Sequence, residues 1–298
     1  MITDGALIVG EEPPLERALR DEVARRMGLP AAVPLTYEGL RQVYAAWCAH
    51  LSFDNLRKVI ALRTGRELPG RTAEDFFTHW LKHDAAGTCW PTSNALLALV
   101  RSYGFPALRS AGSMHDSGPM NHGCVRVPLG AETWFLDGAM LTVAPVRLSD
   151  RVEQSEVPLL AAESEPDQGA HLVWADFAPS GWLPCRVYAE PISRELHLQR
   201  YEASREVSPF NGRLFLRKNA PNERRALIGP TRVSKTEAGV TSRALTRDEL
   251  CASLRDEFGI SSALIEEWIA CGGLDASYEE EPASAKPAPV HRPPPSQR

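Results

Sequence analysis

The stretch that most constrains the fold is GTCWPTSNALLALVRSYGF, residues 87–105, because it sets a proline inside an otherwise helical apolar run. Proline has no N–H and its ring collides with the preceding turn, so a helix holds it without penalty only in its first turn. Leu96, Leu97, Leu99, Val100 and Tyr103 recur as the buried face of a helix does. Pro91 therefore fixes the start of that helix between Thr88 and Trp90. Thr88 reads as the N-cap, its hydroxyl accepting a first-turn N–H. Cys89 then lies in the first turn, where unpaired N–H groups and the helix dipole favour thiolate over thiol. Free cysteine is also among the most buried residue types, so packing alone would place a cysteine here equally well. From this stretch both readings stand.

A thiolate nucleophile needs a base, and the base needs a group that orients it. Downstream lies MNHGCVRVPLGAETWFLDGAM, residues 120–140. Val125 and Val127 alternate with Cys124 and Arg126, and a turn at Leu129-Gly130-Ala131 leads into a second strand, Thr133 to Leu136. The pattern predicts a hairpin with His122 at the start of one strand and Asp137 at the end of the other. Antiparallel pairing brings such ends together, so the carboxylate can hold the imidazole in one tautomer. Other arrangements offer less. Cys124 shares the facing of His122 but has no helix terminus to lower its pKa. His79 and His83 lie one helical turn apart without a third ligand, His115 sits in a turn sequence, and Asp176 and Glu195 have no base beside them.

The remaining sequence bounds the class. Across 298 residues the net charge is −5, with no basic patch, which argues against nucleic acid as a partner. The opening residues show no basic region followed by an apolar run, and nothing approaches the roughly 18 apolar residues of a membrane span. A cytoplasmic protein without a membrane partner is the expectation. Six cysteines without a CxxC pair read as reduced thiols, and no Cys/His spacing suggests a metal. Residues before about 106 read as helices: one from Pro14 to Gly28, one from Tyr37 to Leu51, one from Ala73 to Leu81, and the Cys89 helix. After Gly104 the texture turns to short strands, among them ALRSAGSM, HLVWADF, LPCRVYAE and LHLQRYEA. Residues 149–170 read as an acidic surface excursion. From Ser208 a strand pair leads to a helix through Leu250 and Leu254 and a short one around Trp268. The end, EEEPASAKPAPVHRPPPSQR, reads as disordered, which makes its His291 a poor catalytic candidate.

The order Cys89, His122, Asp137 at this spacing resembles the arylamine N-acetyltransferases, a branch of the transglutaminase-like cysteine superfamily. Four further segments are similar to that family. LSFDNLRKV (51–59) resembles its Pro-Phe-Glu-Asn-Leu segment, and WFLDGAM (134–140) resembles the segment carrying its aspartate. EVSPFNGRLFLRK (206–218) resembles the entry to its third domain, and LTRDELCASLRDEFGI (245–260) its closing helix. The resemblance implies an α+β fold with an N-terminal helical bundle, a central β-barrel and a C-terminal α/β lid around a papain-like triad core. The implied domains are 1–106, 107–205 and 206–278, followed by a disordered tail, 279–298. It implies a ping-pong transfer of acetyl or another acyl group from acetyl-CoA or another acyl-CoA, as co-substrate, to a small arylamine or hydrazine. Cys89 would be the nucleophile, His122 the base and Asp137 its orienting group, with Phe53, Trp90 and Met140 lining the substrate site and no bound cofactor or metal.

The chain departs from the family pattern around the nucleophile. Where the family has Arg-Gly-Gly-X-Cys-X-Glu-X-Asn, this chain has Ala85-Ala86-Gly87-Thr88-Cys89-Trp90-Pro91-Thr92-Ser93. Asp54, matching the glutamate that would pair with the arginine, is left without that implied partner. Met140 stands where the family has a pocket-lining phenylalanine. An amide synthase, or another transglutaminase-like thiol acyl transfer or hydrolysis on a non-CoA donor, is the alternative these departures leave open.

Overall fold

Helices open the chain. In a computed structural model that describes residues 12–115, 117–148, 159–165, 169–175 and 182–279, α1 spans Arg17–Arg26 and α2 spans Tyr37–His50. A three-residue strand, β1 (Ser52–Asp54), separates α2 from α3 (Leu56–Arg63). Next come α4 (Ala73–His83), whose Thr72 cap accepts the Asp75 N–H at 3.1 Å, and α5 (Cys89–Ser102). The helix that Pro91 demands therefore starts at Cys89. Leu96, Leu97, Leu99 and Val100 are fully buried, packed among Val43, Tyr44 and Trp47 of α2 and Phe76, Phe77 and Trp80 of α4. Trp47 stacks on Phe76 with ring centres 5.9 Å apart, and α5 becomes the axis of the N-terminal core.

A seven-stranded antiparallel sheet follows. Its strands are β2 (Leu108–Met114), β3 (His122–Leu129), β4 (Glu132–Leu136), β5 (Val146–Leu148), β6 (Leu159–Glu165), β7 (Gly169–Ala175) and β8 (Trp182–Val187). The order across the sheet is β5-β4-β3-β2-β8-β7-β6, and the two edges, β5 and β6, approach each other, so the sheet is a nearly closed barrel. The β3–β4 hairpin forms as its alternation predicts, with Val125 opposite Leu136.

Two expectations for this region change. LHLQRYEA is not a strand but part of α6 (Arg194–Ala203), capped by Ser193, with His197 and Tyr201 buried one turn apart on its inner face. The excursion expected at 149–170 contains β6, which pairs with β7; the rest of it, apart from 169 and 170, lies outside the described residues. Asp176, His291 and the tail after Glu279 also lie outside them.

The last part of the chain builds a second sheet from β9 (Phe215–Ala220), β10 (Glu223–Ile228), β11 (Thr231–Thr236) and β12 (Gly239–Ala244). Its outer position beside β9 is taken by β1, with Phe53 opposite Arg217. Asn55 reinforces that junction, donating to the carbonyls of Phe210 and Arg213 and accepting from the Phe215 N–H. Three helices close the chain: α7 (Arg247–Asp256), which has a full capping box at Thr246 and Glu249, α8 (Ser262–Ala270) and α9 (Gly273–Tyr278). Leu250, Leu254, Phe258 and Trp268 bury α3 beneath them through Leu56, Val59 and Ile60. Among the described residues no helix is long and apolar enough to cross a membrane.

Candidate active site

Three elements converge on Cys89. It occupies the first position of α5 and is 7% exposed. β3 runs across the start of that helix so closely that a Cβ on Gly123 would lie 2.4 Å from Ser93 Oγ and 3.2 Å from the Cys89 carbonyl oxygen. Only glycine allows this approach, and it brings His122 against the thiol. The Asp137 loop packs on the same turn, where a Cβ on Gly138 would meet the Thr92 carbonyl at 3.1 Å. Gly70, at a left-handed φ of 73°, backs onto Pro91 from behind. The first turn of α5 is thus fixed on several sides.

His122 Nε2–H donates to Asp137 Oδ2 at 2.7 Å, with both side chains buried. That bond leaves Nδ1 unengaged by Asp137, and His122 and the Gly123 N–H both favour the anionic form of the Cys89 sulfur. The Asn121 carbonyl lies 3.7 Å from the sulfur. Asp137 is oriented through its other oxygen, which accepts the N–H groups of Ala139 (2.9 Å) and Met140 (2.8 Å). Behind the loop, the Tyr44 hydroxyl donates to the Asp137 carbonyl at 2.8 Å and accepts the Asp137 N–H at 3.1 Å. Trp47 Nε1 donates to the Gly138 carbonyl at 3.2 Å. The N-terminal core therefore sets the position of the carboxylate.

The electrostatics separate the cysteines. Burial raises the Cys89 pKa, but His122, the Gly123 N–H and the Lys58 ammonium outweigh it and hold the thiol below its ordinary value. Burial opposes charge on His122 as well, yet Asp137 and Cys89 raise its pKa to about 10. Desolvation likewise works against the Asp137 carboxylate, and His122 with the two loop N–H groups keeps it ionised. Cys124 and Cys48 have only burial as a leading influence. Cys48 is pushed up to about 12 and Cys124 is raised further still. A thiolate beside an oriented imidazolium can attack an acyl carbon, and the imidazolium can then give its proton to the leaving group.

Phe53 (3% exposed) and Trp90 (2%) pack in one cluster with Cys89, together with Leu68, Ala139, Ile192 and Tyr201. Phe53 also meets Phe210 and Phe215 edge-on, at 4.9 and 5.5 Å. Met140 packs instead in the barrel cluster with Cys124 and Phe135, and its sulfur lies 3.6 Å from Arg217 Nη2. Arg217 itself sits over the Phe53 ring, 5.8 Å from its centre. Asp54 has found substitutes for a guanidinium: Oδ2 accepts the Ala86 N–H at 2.7 Å and Ser52 Oγ–H at 2.8 Å. Its Oδ1 is buried without a partner, and burial raises its pKa.

One expectation fails here. Thr88 is the N-cap residue, but its hydroxyl makes no capping bond and is buried without a partner. Thr92, one turn on, donates its hydroxyl to the Thr88 and Cys89 carbonyls, at 2.9 and 3.0 Å. Sequence reasoning also passed over Tyr44, Gly123 and Lys58; of these only Gly123, adjacent to His122, carried a local signal. A cavity of about 520 Å³ lies between α3, α4 and α8, lined by Arg57, His79 and His83, rather than at Cys89.

A family model described as N-acetyltransferase matches residues 36–266 of the chain. No curated protein matches it. Solved structures do resemble it. The arylamine N-acetyltransferase from Mycobacterium abscessus is 23% identical with a TM-score of 0.71, over 87% of this chain and 95% of that one. The enzyme from Mycobacterium marinum is 19% identical with a TM-score of 0.72, over 87% and 97%. That from Salmonella typhimurium is 17% identical with a TM-score of 0.72, over 85% and 98%.

Proposed function

The chain belongs to the arylamine N-acetyltransferase family, a family of enzymes that transfer acetyl groups to amines, and from that premise we propose a ping-pong acyltransferase working through a thioester on Cys89. The donor is acetyl-CoA or another acyl-CoA, and the acceptor is an arylamine or hydrazine. The Cys89 thiolate attacks the carbonyl carbon of the donor thioester. The tetrahedral intermediate collapses, the C–S bond to CoA breaks, and the departing sulfur takes the proton held on His122. The amine then attacks the acyl-enzyme carbon, neutral His122 takes a proton from its nitrogen, and Cys89 leaves as thiolate.

Asp137 holds the His122 ring in one orientation through both half-reactions and stabilises its cationic form. The Gly123 N–H and the free N–H groups at the start of α5 are the donors available to the oxyanion. Donors of this kind contribute roughly 3–4 kcal/mol each in other enzymes. Phe53 and Met140, with the half-buried rings of Phe210 and Phe215, are proposed to receive the flat acceptor, while Trp90 is proposed to bound the site from the helix side. Trp90 is held edge-on by His197 at 5.1 Å.

The observation that carries this reading is the placement of Cys89 at the first position of α5, crossed by the strand that carries His122, whose ring is held by Asp137 at 2.7 Å. Initial velocities over a matrix of acetyl-CoA and arylamine concentrations test it. Parallel double-reciprocal lines are expected, and intersecting lines would contradict a covalent intermediate. Turnover with a non-CoA thioester and with no acyl-CoA would favour the amide-synthase alternative.

A further inference from the structure

We propose that Lys58 is a positioning residue for this reaction, a buried cation that offsets the net negative charge of the Cys89–His122–Asp137 group and thereby sustains the thiolate. The proposal rests on Cys89 being the nucleophile. Lys58 lies on α3 and is only 3% exposed. Lysine is almost never fully buried unless a partner compensates its charge. Among the described residues no carboxylate pairs with it. Its Nζ donates instead to the Ser204 carbonyl at 3.1 Å and to Ser204 Oγ at 3.0 Å, at the C-cap of α6. The negative end of a helix dipole supports a cation there, but it supplies only a partial charge.

The geometry around α3 and α6 shows where the rest of the compensation comes from. Leu62, one turn along α3 from Lys58, packs in the cluster that holds Cys89 and Trp90. Tyr201, one turn before Ser204, packs in the same cluster, and its hydroxyl donates to the Pro69 carbonyl at 2.6 Å. Lys58 is therefore clamped to the wall of the site. The charged groups that act on it are Cys89, from α5, and Arg205, just beyond α6. Arg205 repels it and is itself paired with Glu202 at 2.6 Å. Cys89 is the attractive one.

The charges then sum simply. A Cys89 thiolate, a His122 imidazolium and an Asp137 carboxylate carry one net negative charge in a site from which water is largely excluded. The Lys58 ammonium brings that total to zero. Burial is the main influence on Lys58 itself and lowers its pKa to about 8, against the pull of Cys89. It is still charged at neutral pH.

The test is the pH profile of iodoacetamide alkylation at Cys89 in the full chain, for wild type, Lys58→Gln and Lys58→Arg. Glutamine keeps a donor for Ser204 but removes the charge; arginine keeps the charge. Lys58→Gln is expected to move the profile upward by about one pH unit, giving about a tenfold slower reaction below the midpoint. Lys58→Arg is expected to retain the wild-type midpoint. An unshifted Lys58→Gln profile in a chain with wild-type melting would overturn the proposal, as would equal shifts in both variants, which would make shape rather than charge the cause. Should Lys58→Gln fail to fold, the wild-type profile decides: a second inflection near pH 8 supports Lys58, and a flat plateau from pH 7 to 9 overturns it. Acyl transfer to Cys89 with an unshifted Lys58→Gln profile would sink the Lys58 role alone. A wild-type thiol with an ordinary midpoint and no acylation would sink the nucleophile reading with it.

Discussion

At the scale of single residues, the proposed function rests on which thiol can ionise. A cysteine ordinarily titrates near ~8.5, and Cys89 is held lower because its neighbours favour the anion. The sign is direct: a lowered pKa means more thiolate at any given pH. Alkylation of Cys89 should therefore reach half its plateau at a lower pH than an ordinary cysteine does, while Cys48 and Cys124 stay unreactive throughout the neutral range. Asp137→Asn tests the orienting group. The amide retains an oxygen for the Ala139 and Met140 N–H groups but loses the charge that raises the His122 pKa. The Cys89 profile should shift upward, and kcat/KM should fall by roughly 10²–10⁴, the range of a lost acid–base contribution. Wild-type turnover by this variant in steady-state assays would remove Asp137 from the mechanism.

At the scale of elements, the site is a crossing of β3 over the first turn of α5. Gly123→Ala would drive a methyl to 2.4 Å from Ser93 Oγ and 3.0 Å from Trp90 Cε3. The strand must move away, at a cost of about 1–3 kcal/mol. A lower midpoint in urea together with a slower Cys89 alkylation is the expected pair of results. This crossing was largely legible from residues: Pro91 marks where α5 begins, and the alternation around Val125 and Val127 fixes the hairpin that joins His122 to Asp137. Other elements left weaker marks. In LHLQRYEA, Leu196 and Leu198 mimic a two-residue period, while the side chains that α6 buries, His197 and Tyr201, recur one helical turn apart. β1 is too short to show any period, and β12, exposed along its length, is defined by backbone pairing with β11 alone. Thr88 met every local rule for a cap, yet its hydroxyl makes no capping bond and is buried without a partner. Lys58 carried no mark in the sequence, because its burial depends on α6, which is remote in sequence.

At the scale of the whole molecule, the chain closes on itself through β1. That strand joins the sheet of β9 to β12, and its last residue reaches the approach to Cys89: the Asp54 N–H donates to the Gly87 carbonyl at 3.1 Å and its carboxylate accepts the Ala86 N–H. We propose that 1–106, 107–205 and 206–278 are interlocked units rather than independent ones, so that 206–278 expressed alone lacks a cooperative thermal transition. Asp54→Ala leaves the buried Ala86 N–H and Ser52 hydroxyl without their acceptor, and a loss of about 1–3 kcal/mol is expected from denaturant titration. In the proposed function this architecture carries an acyl group on Cys89. Intact-mass spectrometry of the chain mixed with acetyl-CoA, and with longer acyl-CoAs, tests it most directly. A single acyl group that maps to Cys89, is absent from Cys89→Ser and disappears when an arylamine is added is the predicted result. A folded chain that gains no mass with any acyl-CoA would contradict it.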